Sequence, residues 1–183
     1  MKGIVFTELV EFVERHTSMT VAESIICEAE LENDGAFTSV GNYPHSEAIK
    51  LVISASKHLD TPVVDLMRQF GNELFVRLLD SHPQFLDQET GDAFAFLSRV
   101  QNHIHAEVSK LYPDSSPPVV HTSMEDGKMI VSYKSHRPFA MIAMGLIEGC
   151  CTFFDETLVV ELQGDPNDVS NRATFSVMKK SAT

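Results

Sequence analysis

Apolar positions recur along this chain with two periods, and the change from one to the other divides it. Ile4, Phe6, Leu9, Val10 and Val13 fall on one face of a helix whose other positions include Glu8, Glu11 and Glu14. Ser18-x-Thr20-x-x-Glu23 leads into a second helix through Ile25, Ile26 and Ala29, and Ala36 to Val40 suits a short extended segment. Ser46 to Leu59 reads as a helix, with Glu47 near its start and Lys57-His58 near its end, as the helix dipole favours. Thr61-Pro62 supplies a cap and a first-turn proline for the next helix. That helix runs through Val64, Leu66, Met67, Phe70, Leu74, Phe75 and Leu78 until Ser81-His82-Pro83 ends it. Ala93 to Leu111 predicts one continuous helix, with Phe94, Leu97, Val100, Ile104, Val108 and Leu111 at steps of three or four and Tyr112-Pro113 as its stop.

From residue 119 the period becomes two. Val119 to Met124, the Asp126-Gly127 turn and Lys128 to Ser135 predict a hairpin. A helix from Phe139 to Phe154 follows Arg137-Pro138, and Thr157 to Leu162 and Ala173 to Met178 alternate as strands. Gly164-Asp165-Pro166-Asn167 starts the loop between those strands, and Lys179 to Thr183 is a short tail. Helices come first, then a hairpin, a helix and two strands, which is an α+β order rather than βαβ alternation. The strands can form one four-stranded antiparallel sheet, and 183 residues suit a single domain with its own core.

Composition narrows the function. Apolar residues make up 43% and charged residues 22%, so the chain is not of the disordered class. A net charge of −12 repels nucleic acid and anionic membrane, and neither is an expected partner. Cys27, Cys150 and Cys151 show no zinc spacing, and an odd count without a pattern points to a reducing compartment. The glutamates of the first helix interrupt any signal-peptide core, and no apolar run is long enough to span a membrane; a cytoplasmic location is expected.

Two groups of residues carry candidate chemistry. Met129, Val131, Tyr133, Ser135 and Arg137 share one strand face, apolar at one end and ending in two hydroxyls and a guanidinium. Arginine's planar fork matches a carboxylate, so this face suits an amphipathic ligand with acid groups; a solvated strand end is the other reading. His103 and His105 lie about 200° apart on a helix and cannot grip one metal together. His105, within a turn of Val108, can face inward, either as a hydrogen-bonded core histidine or as a ligand. A neutral imidazole is the usual proximal ligand of haem iron, and haem carries two carboxylates. Gly145 and Gly149 share a helix face that admits either another backbone or a flat ligand. No nucleophile–base pair, paired carboxylates or glycine-rich phosphate loop is visible.

Taken together, several features resemble the haem nitric oxide/oxygen binding (H-NOX) family, in its stand-alone bacterial form, related to the sensor domain of soluble guanylate cyclase. They are the opening Met1-Lys2-Gly3-Ile4-Val5-Phe6, His105, Pro118 thirteen residues on, Tyr133-x-Ser135-x-Arg137 and Gly145-Leu146-Ile147-Glu148-Gly149. The resemblance covers almost the whole chain. It implies a helical distal subdomain, residues 1–60, over a proximal subdomain, residues 61–183, with haem b (iron protoporphyrin IX) between them. It implies that His105 ligates the iron, that Tyr133, Ser135 and Arg137 hold the propionates, and that Pro118 presses on the porphyrin. It also implies a gas sensor rather than an enzyme, in which nitric oxide weakens the iron–His105 bond and the shift between halves alters a partner.

The distal pocket implied is Val5, Leu9, Leu74, Ile142 and Leu146. Oxygen-binding relatives carry a tyrosine three residues before the glycine matching Gly145, and that position here is Ile142. Nitric oxide and carbon monoxide are therefore the expected ligands, and Tyr43 is the one tyrosine left unplaced. The chain carries no cyclase or kinase segment, so a separate signalling protein, a histidine kinase or a cyclic-di-GMP enzyme, is the expected output. Two rival readings remain: a haem-dependent enzyme, and a haem-free module that binds an acidic amphipathic ligand through Tyr133, Ser135 and Arg137.

Overall fold

The first helix, α1 (Gly3–His16), buries Phe6, Leu9 and Val13 as the apolar period predicts and Phe12 besides, while Ile4 and Val10 are half-buried. This is a computed structural model, and it describes residues 1–86, 90–155, 157–165 and 171–179. Pro166-Asn167 of the predicted loop and residues 180–183 of the predicted tail lie outside the described residues. Ser18 caps α2 (Met19–Glu28), its hydroxyl accepting the Val21 N–H at 3.3 Å. Then come α3 (His45–Leu59), which ends at a left-handed Asp60, and α4 (Val63–Ser81).

Ala36 to Val40 does not form the extended segment expected; it is irregular and ends in a turn. Carbonyls next to and within it serve another element. Ser39 and Gly41 accept the Ile4 and Gly3 amides at 2.9 and 2.8 Å. A helix leaves its first amides without internal partners, and here the loop supplies them. Glu47 ties down the neighbouring stretch: its buried carboxylate accepts the Glu32 N–H at 2.8 Å and pairs with Lys50 at 2.9 Å.

The chain divides within α4 into two compact units, Met1–Phe70 and Gly71–Thr183. In the first, Phe6 stacks on Phe37 at 4.6 Å, and Tyr43 packs edge-on against both rings. In the second, α5 (Ala93–Arg99) and α6 (His105–Leu111) precede β1 (Val119–Glu125) and β2 (Lys128–Lys134). They are followed by α7 (Ala140–Phe153), β3 (Leu158–Gln163) and β4 (Arg172–Lys179). The sheet is antiparallel in the order β1-β2-β4-β3. Asp126 and Gly127 both take positive φ, as a two-residue hairpin turn requires. Met129, Val131 and Tyr133 are buried beside Val177, Phe175 and Ala173, their register partners on β4.

The continuous helix expected over 93–111 is broken. Val100–Ile104 forms a π-helical turn between α5 and α6. Apolar steps of three or four do not register one wider turn, so the periodicity conceals it.

Gly71 and Gly149 show which alternative holds for the glycine face of α7. A Cβ on Gly71 would lie 2.2 Å from the Ile142 carbonyl oxygen and 3.1 Å from the Gly145 Cα. One on Gly149 would lie 2.4 Å from the Asn72 carbonyl oxygen. The second half of α4 and α7 thus meet backbone to backbone, and the face packs a helix. Gly149→Ala is expected to destabilise the protein by about 3 kcal/mol, since backbone has to move to admit the methyl. Gly91→Ala, with nothing within 4 Å of its Cβ, is expected to be near neutral. Urea unfolding midpoints of the two variants check this; equal midpoints would contradict the packing.

Candidate cofactor site

His105 is the first residue of α6, and its own N–H closes the π turn onto the Val100 carbonyl. Its Nδ1 is buried and has no hydrogen-bond partner. Burial pushes the imidazole pKa below the ordinary histidine value, while the nearby Pro118 carbonyl pulls the other way. That carbonyl completes no hydrogen bond with Nδ1. The ring is therefore held neutral with a lone pair available, the form that binds metals.

The second group lies where β2 ends. Tyr133 is buried, and burial raises its phenol pKa while the Ser135 hydroxyl and the Arg137 charge lower it. The phenol stays protonated and can donate. Ser135 follows the strand, its N–H donating to the Asn171 carbonyl at 2.8 Å and its hydroxyl accepting the Arg137 N–H at 3.1 Å. Arg137 is half-buried, and burial pushes its pKa down although a guanidinium remains charged. Its Nη1 donates to the Ser116 carbonyl at 2.9 Å. No carboxylate is paired with it among the described residues.

The two groups meet along one linker. Pro118 lies beside His105, and Ser116, two residues earlier, is held by Arg137. His103 lies within the π turn, two residues from the start of α6. Leu74 on α4 and Ile142 on α7 are buried, and Leu146 on α7 is half-buried. In the other unit Leu9 is buried and Val5 half-buried on α1. All five side chains lack a hydrogen-bond donor. Tyr43 has its hydroxyl engaged: it accepts the Thr38 N–H at 2.9 Å and lies 3.3 Å from the Thr38 hydroxyl.

These residues fit haem on their own chemistry. A neutral imidazole with an unpartnered nitrogen suits a metal, and a half-buried cation beside two hydroxyls suits a carboxylate. Among the described residues no group of three or more His, Cys, Asp or Glu side chains could hold a bare ion. Iron in a porphyrin brings its remaining ligands with it and needs only an imidazole such as His105 from the chain. The Ser116 carbonyl and the π turn are parts of the site that residue types do not advertise, since both are features of backbone.

Comparison with known proteins agrees with this chemistry. The family model described as Haem-NO-binding matches residues 2–162. The Fe(II) unliganded H-NOX protein from K. algicida is 30% identical over 100% of this chain and 98% of its own, with a TM-score of 0.88. The IWP-051-bound H-NOX from Shewanella woodyi in the Fe(II)CO state is 34% identical over 98% of this chain and 95% of its own, with a TM-score of 0.79. The H-NOX protein from S. oneidensis in the Fe(II)NO state, at 24% identity, shares the fold with a TM-score of 0.88 over 99% of this chain and 100% of its own. No curated protein matches the sequence. The family match runs through both groups of site residues and over most of the chain, which therefore belongs to the Haem-NO-binding, or H-NOX, family.

Proposed function

We propose that this haem-based gas-sensing domain detects nitric oxide at haem b and reports it to a separate signalling protein. The observation that carries the reading is the pairing of a neutral His105, its Nδ1 unpartnered, beside Pro118 with an Arg137 that has no carboxylate partner among the described residues and is tied to the same linker. Haem supplies the ferrous iron at which the gas binds.

His105 would hold that iron through its ring lone pair. Arg137, Tyr133 and Ser135 take the propionates, the guanidinium forking onto a carboxylate and the hydroxyls donating beside it. Pro118, rigid in φ and beside His105, would bear on a bound porphyrin. Residues 1–60 form the distal subdomain and residues 61–183 the proximal one. A ligand shifts a protein between states only by its different affinity for each, and a change in how His105 is held would supply that difference here. The partner is a histidine kinase or a cyclic-di-GMP enzyme, and the setting is cytoplasmic. Among the described residues no helix is long and apolar enough to cross a membrane.

Val5, Leu9, Leu74, Ile142 and Leu146 are the distal residues of this proposal. Stable oxygen binding would need a hydrogen-bond donor on that side of haem, and none of these five side chains offers one. Tyr43, the one unassigned phenol, is engaged with Thr38. The carbon monoxide state of the Shewanella woodyi protein supports gas binding at Fe(II) in this family.

Visible spectra of the haem-supplemented, reduced protein test the proposal. Bands that move with nitric oxide and with carbon monoxide are expected, and exposure to air is expected to leave no stable oxygen complex. A stable oxygen complex would refute the apolar pocket. A protein that stays colourless after supplementation would refute the haem site and return Tyr133, Ser135 and Arg137 to the haem-free reading.

A further inference from the structure

The π turn before His105 has an anchor. A π turn is one residue wider than an α turn, is rare, and often marks a functional position. Here it spans Val100–Ile104, and the His105 N–H closes it. Gln101, within the turn, is half-buried, and its Oε1 accepts the Val120 N–H at 2.8 Å. Val120 lies on β1, one of the two edge strands, in register with Tyr133 on β2. An edge strand leaves amides that no neighbouring strand can take, and a buried amide needs an acceptor. Gln101 provides it. One hydrogen bond therefore joins the helix four residues before His105 to the strand two residues after Pro118.

We propose that Gln101 is a positioning residue: by taking the Val120 N–H it keeps the π turn open and sets how His105 faces Pro118. The inference rests on His105 being the iron ligand. Were the turn to tighten into an α-helix, one residue would pass into the next turn. That would rotate α6 by about 100° relative to α5 and carry the imidazole away from Pro118. A single side-chain hydrogen bond at the sheet edge thus selects between two settings of the ligand-bearing helix.

Amide hydrogen exchange on the full chain, with and without haem supplementation, tests this alongside the Fe–His stretching band of the ferrous protein. Gln101→Met keeps the length of the side chain and removes the acceptor. It is expected to speed exchange at the His105 and Val120 amides about tenfold, the effect of one lost hydrogen bond. It is also expected to shift the Fe–His band. Gln101→Glu keeps an acceptor at the same reach and is expected to retain wild-type behaviour in both measurements. If Gln101→Met speeds exchange at Val120 alone and leaves the band unmoved, Gln101 merely caps a strand and the inference falls. Should Gln101→Met fail to fold, the wild-type chain decides: Val120 and His105 amides have to be protected to a similar degree, and a freely exchanging Val120 amide overturns the proposal. A Fe–His band that survives in His105→Gly would instead show that the ligand assignment is wrong, whatever the exchange data say of Gln101.

Discussion

His105→Gly is expected to abolish the native ferrous spectrum, and added imidazole is expected to restore it. The argument is chemical. Among the described residues no group of three or more His, Cys, Asp or Glu side chains could hold an ion, so a lone imidazole is the ligand to test. The ring is kept neutral by burial, and its Nδ1 has no protein partner to compete with a metal. Glycine leaves a space of the ring's size, which free imidazole can fill without the chain's help. His103→Gly serves as the control. It lies in the π turn, before the residue whose amide closes that turn, and the variant is expected to keep the wild-type spectrum. Loss of the spectrum in His103→Gly, with His105→Gly unaffected, would reverse the assignment.

Arg137→Ala is expected to raise the rate of haem loss to an acceptor protein by about 10- to 100-fold, since a charge-assisted hydrogen bond to a carboxylate is worth about 1.5–3 kcal/mol. Two effects combine. The propionate loses its cation, and the Ser116 carbonyl loses its donor at 2.9 Å, which loosens the linker carrying Pro118. Arg137→Lys separates them. A lysine restores charge as a point donor but cannot fork onto a carboxylate while also holding Ser116. Its loss rate is expected to fall between those of the wild type and the alanine variant. Equal loss rates in all three proteins would remove Arg137 from the site.

Much of this protein is legible from local pattern. The hairpin is one case: alternation along Lys128 to Ser135 and the Asp126-Gly127 pair specify both face and turn, and the strand places Met129, Val131 and Tyr133 on the buried side. Ser18 is another, because a capping hydroxyl acts within its own turn. The spacing of His105, Pro118 and Tyr133-x-Ser135-x-Arg137 carried the family resemblance, since chemistry that depends on particular side chains leaves them in the sequence.

Other features were decided by tertiary structure. Ala36 to Val40 had a composition suited to extension, yet its neighbourhood serves the first amides of α1, a partnership between distant segments. Gly145 and Gly149 were compatible with a flat ligand or a helix, and Gly71 on α4, far away in sequence, decided for the helix. Where the helix over 93–111 is interrupted, an edge-strand amide at Val120 and a glutamine at 101 meet in space, and neither residue signals the other along the chain. Arg137 reads as an anion-binding residue from its type alone, but its hold on the Ser116 carbonyl does not, because every residue except proline offers the same backbone groups. Periodicity and side-chain chemistry act within a few residues and are written locally. Backbone hydrogen bonds and close approaches between distant segments depend on where the whole chain brings them, and only the folded molecule determines that.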